Sequence, residues 1–523
     1  MTRVIVIGAG IGGLTAGALL AKRGFEVEIF EQAAVPGGCA STFKRRGFTF
    51  DVGATQVAGL EPGGIHHRIF AELGVELPEA TPCDPACAVF LPEETTPIQV
   101  WRDPGRWQAE RQRQFPGSDR LWQILQALFA ISWRFQSRDP VLPPRSRWDW
   151  GQLLQAIRPD TLLTAPFALM TVGDLLQLLG LGDPRLKTFL DLQLKLYSQV
   201  DAAETALLYA ATALGVSQAP QGLFHLHGSM QVLSDRLTEA LHNHGGKLHL
   251  RHTVKEIHHA QGQVQSLLVF NQRTRSPQTV TADHVVGNIT VHNLIELLTP
   301  EIPAQPPPSL RPTSLLNGGQ YRQRVETLPR PAGALVVYLG VSAAAIPDHC
   351  PPHLQFLYDA NGPIGEHNSL FVSVSQPGDG RAPLGQATIT ASSFVDPMPW
   401  FALEKDGYQA RKQQYQAAAI AHLSDYFHLS PETILHQESA TPRTFARYTD
   451  RQWGYVGGVS QRRATFGPFG FGTRTPLENV WLVGDSTHPG EGTAGVSYSA
   501  LTAVRQIEQS GRESGVSLGW SAT

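Results

Sequence analysis

Cysteine is scarce: Cys39, Cys83, Cys87 and Cys350 are the four in 523 residues. They are too few for a scaffold built on disulfides, their spacing matches no zinc pattern, and reduced thiols in the cytosol are expected. An excess of either charge is lacking too, with 42 Lys and Arg against 45 Asp and Glu. That balance argues against nucleic acid as a partner. No apolar run is long enough for a membrane span. The best, TLLTAPFALMTVG at residues 161 to 173, contains Pro166 and stops at Asp174, short of the roughly 20 apolar residues a span requires; lying in an interface stays open to it. No basic leader or cleavage segment precedes the first apolar strand at residue 3, so no signal peptide is expected. Internal repeats are absent.

What is present begins at the N-terminus. RVIVI, residues 3 to 7, reads as a buried parallel strand, and Gly8, Gly10 and Gly13 follow it at G-x-G-x-x-G spacing. LTAGALLAKRG then reads as a helix closed by Gly24, and FEVEIF as a second strand that delivers Glu31, 23 residues beyond Gly8. Each part has a reason: Gly8 permits the tight turn, Gly10 lets backbone approach a pyrophosphate, and Gly13 allows close helix packing. The helix N-terminus offers free N–H groups to phosphate, and Glu31 accepts hydrogen bonds from a ribose diol. A second fingerprint is missing, since LLGLGDPR at 178 to 185 has no preceding strand and no third glycine. One dinucleotide is implied.

The next segment, VPGGCASTFKRRGFTFDVGATQ, selects between FAD and NAD. Gly37 and Gly38, the basic stretch Lys44 to Arg46, and Phe50, Asp51, Gly53 and Ala54 resemble the flavin-dependent amine oxidase and phytoene desaturase superfamily. The resemblance implies FAD, with the Gly-Gly turn against the pyrophosphate and the small residues near the flavin ring. Cys39 stands where many amine oxidases carry arginine, which points to the carotenoid branch. In this superfamily a C-terminal strand ending in G-D returns to the cofactor domain. Here NVWLV is followed by Gly484 and Asp485, with Gly495 and Val496 expected to open the helix under the flavin. Val254, in RHTVKEIHH, is the residue the resemblance places against adenine. The histidines 225, 227, 252, 258 and 259 give no coherent ligand set, so no metal is expected.

The fold class expected is α/β: a Rossmann-like FAD-binding domain with a parallel sheet and a ββα-type return, interleaved with a substrate domain of antiparallel sheet plus helices. Residues 1–85, 225–300 and 440–512 are assigned to the first, and 86–224 and 301–439 to the second. Apolar β-rich runs at 333–342, 369–376 and 387–395, a helix at 405–427 and a proline linker at 302–312 mark the second. Between 101 and 150 lie six of the ten tryptophans, with nine arginines and five acids. Two readings are open for this cluster: a membrane-interface surface, or packing tryptophans under a charged face. Asp149, between Trp148 and Trp150, reads as a helix-start residue, or as an acid or base if buried; no catalytic residue is assigned.

Over nearly the whole chain the sequence is similar to bacterial-type carotenoid desaturases and isomerases, and GGCASTFKRRGFTFDVGATQVAGLEPGGIHHRIF and CDPACAVFLP look most like the cyanobacterial carotenoid 3′,4′-desaturase branch. The resemblance implies hydride transfer from a carotenoid to flavin N5 and loss of a proton from the neighbouring carbon. The alternatives are cis-trans isomerisation with reduced FAD, and a non-catalytic prenyl-lipid escort, against which the intact cofactor motifs weigh. Peripheral, monotopic attachment on the cytoplasmic side of a membrane is expected, with quinone or oxygen as electron acceptor.

Overall fold

A computed structural model describes residues 2–298 and 318–513; the proline linker 302–312 lies outside them. The run RVIVI forms the strand Arg3–Ile7, central in a five-stranded parallel sheet. Its neighbours are Glu26–Glu31 and then Lys247–Leu250 on one side, and His284–Gly287 and then Val480–Leu482 on the other. Val4, Ile5 and Val6 are wholly buried, because both faces of the sheet are covered, which is what a continuous apolar strand requires. On one face pack the helices Ile11–Lys22, Gln231–Asn243 and Thr493–Glu513, through Leu14, Leu237 and Val504 among others. On the other lies a three-stranded antiparallel sheet, His252–Ala260, Gln263–Asn271 and Ser276–Thr281, whose Ile257, Leu267 and Val269 meet Ile5 and Ile7.

A second, seven-stranded sheet runs in the order Ile434–Ala440, Gly333–Ser342, Gln386–Val395, Ser369–Val374, His353–Leu357, Cys87–Phe90, Ile98–Val100. It is antiparallel except where His353–Leu357 pairs with Cys87–Phe90. The helix Lys405–Leu423 covers one part of it through Tyr415, Ala419 and Leu423. Elsewhere Ala334, Val336 and Tyr338 pack against Phe48 and Phe50 of the strand Phe48–Asp51. Here a glycine is obligatory: a Cβ on Gly340 would lie 2.5 Å from the Phe48 ring.

A helical lobe completes the molecule, with Pro104–Gln114, Asp119–Gln136, Pro184–Ser198 and Leu207–Gly215 as its larger members. The 101–150 cluster resolves here mostly into packing. Trp107 and Trp122 are buried against each other and Phe189. Trp101 lies under the Arg106 guanidinium at 3.4 Å, Trp133 is half-buried beside Phe129, and among the six Trp150 alone is exposed. Asp149 closes a capping box from the third position of the helix Arg147–Ala156, whose N-cap is Ser146: it is fully buried, accepts from the backbone N–H of Arg145 and Ser146 and from Gln506, and pairs with Arg474.

The cofactor domain and the second sheet are joined by a buried polar knot. Arg381 pairs with Asp51 and donates to the Leu226 carbonyl at 3.1 Å, while Asp51 also accepts from the Met230 N–H at 2.8 Å. Asp379 accepts from the Arg381 N–H and bonds His225 at 2.9 Å. Burial pushes the Asp379 carboxyl up, but the His225 bond, two backbone N–H groups and the Arg381 charge outweigh it and hold it below the ordinary range. Removing one partner of such a pair leaves a buried charge uncompensated. Arg381→Met should therefore lower the chemical-denaturation midpoint by an amount equivalent to about 3–5 kcal/mol, and Asp51→Asn in the same chain should recover much of it. A midpoint unmoved in the single variant would show that the knot does not hold the domains together.

Candidate functional site

Because all five strands of the first sheet are parallel, their C-terminal ends share one edge, and the loops that leave them meet there. Gly8 takes φ +89 and donates its N–H to the Phe30 carbonyl at 2.8 Å. A Cβ on Gly13 would collide with the Gly8 carbonyl, and one on Gly10 with the Asn288 amide. The helix Ile11–Lys22 has no side-chain cap, and its first internal bond runs from Leu14 N–H to Gly10 at 2.9 Å. Its opening N–H groups thus face the loop edge, where an anion is favoured.

Glu31 is buried and already engaged, its carboxylate accepting from Ala9 N–H at 2.6 Å and Ala33 N–H at 2.7 Å. Burial pushes this carboxyl up, and those two bonds do not cancel the effect. Glu31 therefore shapes its own loop as well as lining the cavity at this edge. The Gly37–Gly38 turn uses φ of +117 and +57 and is tied by Gly37 N–H to the Ala9 carbonyl at 2.7 Å. Gly53 and Ala54 lie against the Cys39 carbonyl.

The C-terminal loop arrives from the edge strand Val480–Leu482. Gly484, φ +113, donates to Ser499 Oγ at 2.9 Å and approaches Asn288 Oδ1. The helix opens at Thr493, two residues before the expected Gly495. Threonine tolerates helical dihedrals, and the turn that must precede them is completed by Gly490 and Gly492, both at positive φ. Asp485 is held by Arg451 at 2.6 Å, and Arg451 also donates to the Gly457 carbonyl. The Cys39 thiol is pushed up by burial and pulled down by Arg451. The cation absent at residue 39 is thus supplied from residue 451.

One cavity of about 460 Å³ joins these parts. Gly8, Gly10, Glu31, Gly37, Gly38, Gly53, Ala54, Val254, Gly484, Asp485 and Val496 line it. Gly13 and Gly495 sit one layer behind; a Cβ on Gly495 would stand 2.6 Å from the Gly490 carbonyl. Among the lining residues that were not anticipated, Asn288, Arg451 and Glu491 are polar groups beside the glycine loops. Asn288 follows its strand as G-N, a faint echo of the G-D at 484, and Glu491 stands inside the glycine-rich stretch itself; Arg451 carries no local signal. The cavity continues past the glycine loops to Leu192, Tyr197, Tyr209, Val336 and Phe371 of the lobe and second sheet.

The residues present fit FAD. Thr55 Oγ1 and Thr493 Oγ1 are buried without a partner around this cavity, which marks it as built for a polar ligand. The side-chain-free cradle suits a pyrophosphate, and the Thr493 helix N-terminus suits the negative charge of a reduced flavin ring.

Comparison with known proteins agrees. Residues 6–73 match the model of the NAD(P)-binding Rossmann-like domain. A chloroplastic prolycopene isomerase of an Oncidium hybrid cultivar is 26% identical over 96% of this chain and 83% of the relative. A 4,4′-diapophytoene desaturase of a Methylomonas species is 24% identical over 97% of this chain and 96% of its own length, and a zeta-carotene-forming phytoene desaturase of Myxococcus xanthus 24% over 99% and 96%. Over nearly its whole length the chain is thus similar to carotenoid isomerases and desaturases. The fold is shared with an oxidoreductase from Methanosarcina mazei, TM-score 0.64 at 17% identity over 96% of this chain and all of that one. Putrescine oxidase shares it too, TM-score 0.61 at 15% identity over 97% and 98%. Among its described residues no helix is long and apolar enough to cross a membrane, and the histidines of 225 to 259 disperse: His225 bonds Asp379, His227 bonds Thr81.

Glu31→Gln sets an amide NH₂ against one of two buried N–H donors and removes the charge. FAD affinity should fall between tenfold and a hundredfold, about 1.5–3 kcal/mol, in a fluorescence titration of the refolded apoprotein. An unchanged affinity would contradict the adenosine-end assignment.

Proposed function

We propose that the protein is an FAD-dependent carotenoid desaturase that introduces a double bond near one end of the polyene, at the 3′,4′ position. The observation that carries this reading is the continuity of the cavity. The same space bordered by Gly8, Gly37 and Gly484 is bordered by Leu192, Leu196, Ala334, Val336 and Phe371, so a hydrophobic chain and a dinucleotide meet end to end. FAD, when bound, supplies a two-electron acceptor at N5. The protein's own contribution is to orient the substrate and keep water out. The apolar wall fixes the chain near the reacting atoms, and the effective concentration gained this way replaces polar catalytic groups. The N–H groups at Thr493 favour negative charge at the flavin edge.

Isomerisation is the second reading, favoured by the full-length similarity to prolycopene isomerases. Mass separates the two: in a carotenoid-accumulating host the product should be two hydrogens lighter than its precursor, whereas an unchanged mass with altered double-bond geometry would establish isomerisation. An escort protein would leave the pigments untouched and would not purify yellow.

We also propose attachment to the cytoplasmic face of a membrane, with a quinone or oxygen as acceptor. Exposed apolar side chains concentrate in one stretch, Trp150, Leu154, Leu162, Leu163, Leu169 and Leu178, with exposed Arg147 and Arg158 among them. Such a surface suits insertion to headgroup depth, strengthened by anionic lipid and weakened by salt over a screening length of about 10 Å at 0.1 M. Leu162→Ser with Leu163→Ser should cut co-sedimentation with anionic liposomes at least tenfold while FAD content stays constant. Full activity in lipid-free buffer would refute attachment, and stoichiometric reduction of NADP⁺ would refute the acceptor.

A further inference from the structure

The loop between Asp485 and the helix Thr493–Glu513 carries a carboxyl that neither the cofactor motifs nor the ion pairs of the site employ. Glu491 lines the cavity, its Oε2 stands 3.4 Å from Gln199 Nε2, and its Oε1 is buried without a partner. Gln199 caps the C-terminus of the helix Pro184–Ser198 and belongs to the helical lobe, whereas Asp485 and Arg451 belong to the cofactor side. Glu491 therefore stands on the seam between the helical lobe and the cofactor side. Space is reserved for it: a Cβ on Gly457 would overlap both its carboxylate and the Gln199 amide.

The groups facing Glu491 are Asp485 and Arg451 from the cofactor side and Gln199 and Tyr209 from the helices. None of them occupies the free oxygen. Arg451 is taken by Asp485 at 2.6 Å and by the Gly457 carbonyl at 2.9 Å, and the Tyr209 hydroxyl donates to the Tyr197 carbonyl at 2.5 Å. Of the other cavity carboxylates, Glu31 is engaged by two backbone N–H groups and Asp485 by Arg451, and Asp450 is exposed.

We propose that Glu491 is the proton acceptor of the desaturation; the inference rests on the desaturase reading above. Two C–H bonds on adjacent carbons break and one π bond forms between those carbons. The first bond's electron pair departs with its hydrogen as hydride, to the oxidised flavin. The second bond's pair becomes the π bond, and its hydrogen is left as a proton on Glu491. Reoxidation by a quinone, which takes two electrons and two protons, removes that proton again. Burial pushes the Glu491 carboxyl up to about 8, Asp485 adds to the rise, and Gln199 and Arg451 oppose it only in part. A carboxyl so raised is a stronger base than an ordinary glutamate, and its basic form grows as pH rises through that value.

The test uses the FAD-loaded protein in liposomes carrying a carotenoid, under anaerobic single-turnover conditions, with flavin bleaching followed from pH 6 to 9. In the parent the rate should rise about tenfold per pH unit and level off above pH 8. In Glu491→Gln it should be at least about a hundredfold lower and flat with pH, with FAD content preserved. Without any substrate, the absorption spectrum of the bound flavin should show a transition near pH 8 in the parent and none in Glu491→Gln. A parent-like rate or pH profile in the variant overturns the inference and leaves the desaturase reading standing. So does a parent spectrum that does not change between pH 7 and 9, which decides the matter even if the variant fails to hold FAD. A parent flavin that titrates but is bleached by no carotenoid overturns the desaturase reading itself, and the inference with it.

Discussion

The site depends on one crowded contact, the approach of the Asn288 amide to backbone that carries no side chains. Its atoms stand where Gly10 and Gly12 would place a Cβ, and close to where Gly8 and Gly484 would. Two loops nearly five hundred residues apart in the chain are thereby packed around one side chain at the edge of one sheet. Parallel pairing makes this possible, because the strands Arg3–Ile7, His284–Gly287 and Val480–Leu482 all end on the same side. A bulkier residue at any of these glycines would push the loops apart and open the floor on which the cofactor rests.

Around that floor the molecule solves two different electrostatic problems. At the domain junction Asp51, Arg381, Asp379 and His225 are buried and paired charge to charge, although His225 Nδ1 and Arg381 Nε make no hydrogen bond, so charge there serves cohesion. In the cavity Thr55, Thr493 and Glu491 keep polar atoms unpartnered, which costs stability unless something is bound. The contrast lies in charge pairing, present at the junction and lacking at the free oxygen of Glu491. Burial alone would not distinguish them.

Much of this was legible in the chain because it is local. The strand, turn, helix, strand and acid of residues 3 to 31 follow one another at fixed spacing, and each element forms where its apolar periodicity puts it. The runs at 333–342 and 387–395 appear as the strands Gly333–Ser342 and Gln386–Val395 for the same reason. What escaped depends on tertiary packing. The sequence left two readings for the tryptophans at 107 and 122, and only the fold chooses between them: both are buried, with the Arg111 guanidinium over each ring. Arg451 reaches Asp485 across a distance of chain that no spacing rule encodes. The early opening of the helix at Thr493 follows from glycine dihedrals just before it, which the resemblance to relatives could not locate to the residue.

The order of strands also sets a schedule for synthesis. The first two strands and their glycine turn emerge early, but the edge strand at 480 and the helix that closes the cavity come some 450 residues later. At about 5–20 residues per second the ribosome needs on the order of tens of seconds to cover that interval. Throughout it the N-terminal turn lacks its C-terminal counterpart, and once His284–Gly287 has been made its outer edge stays open. Cofactor loading is accordingly an event of the finished chain, and the nascent protein must be shielded at that edge until its last strand arrives.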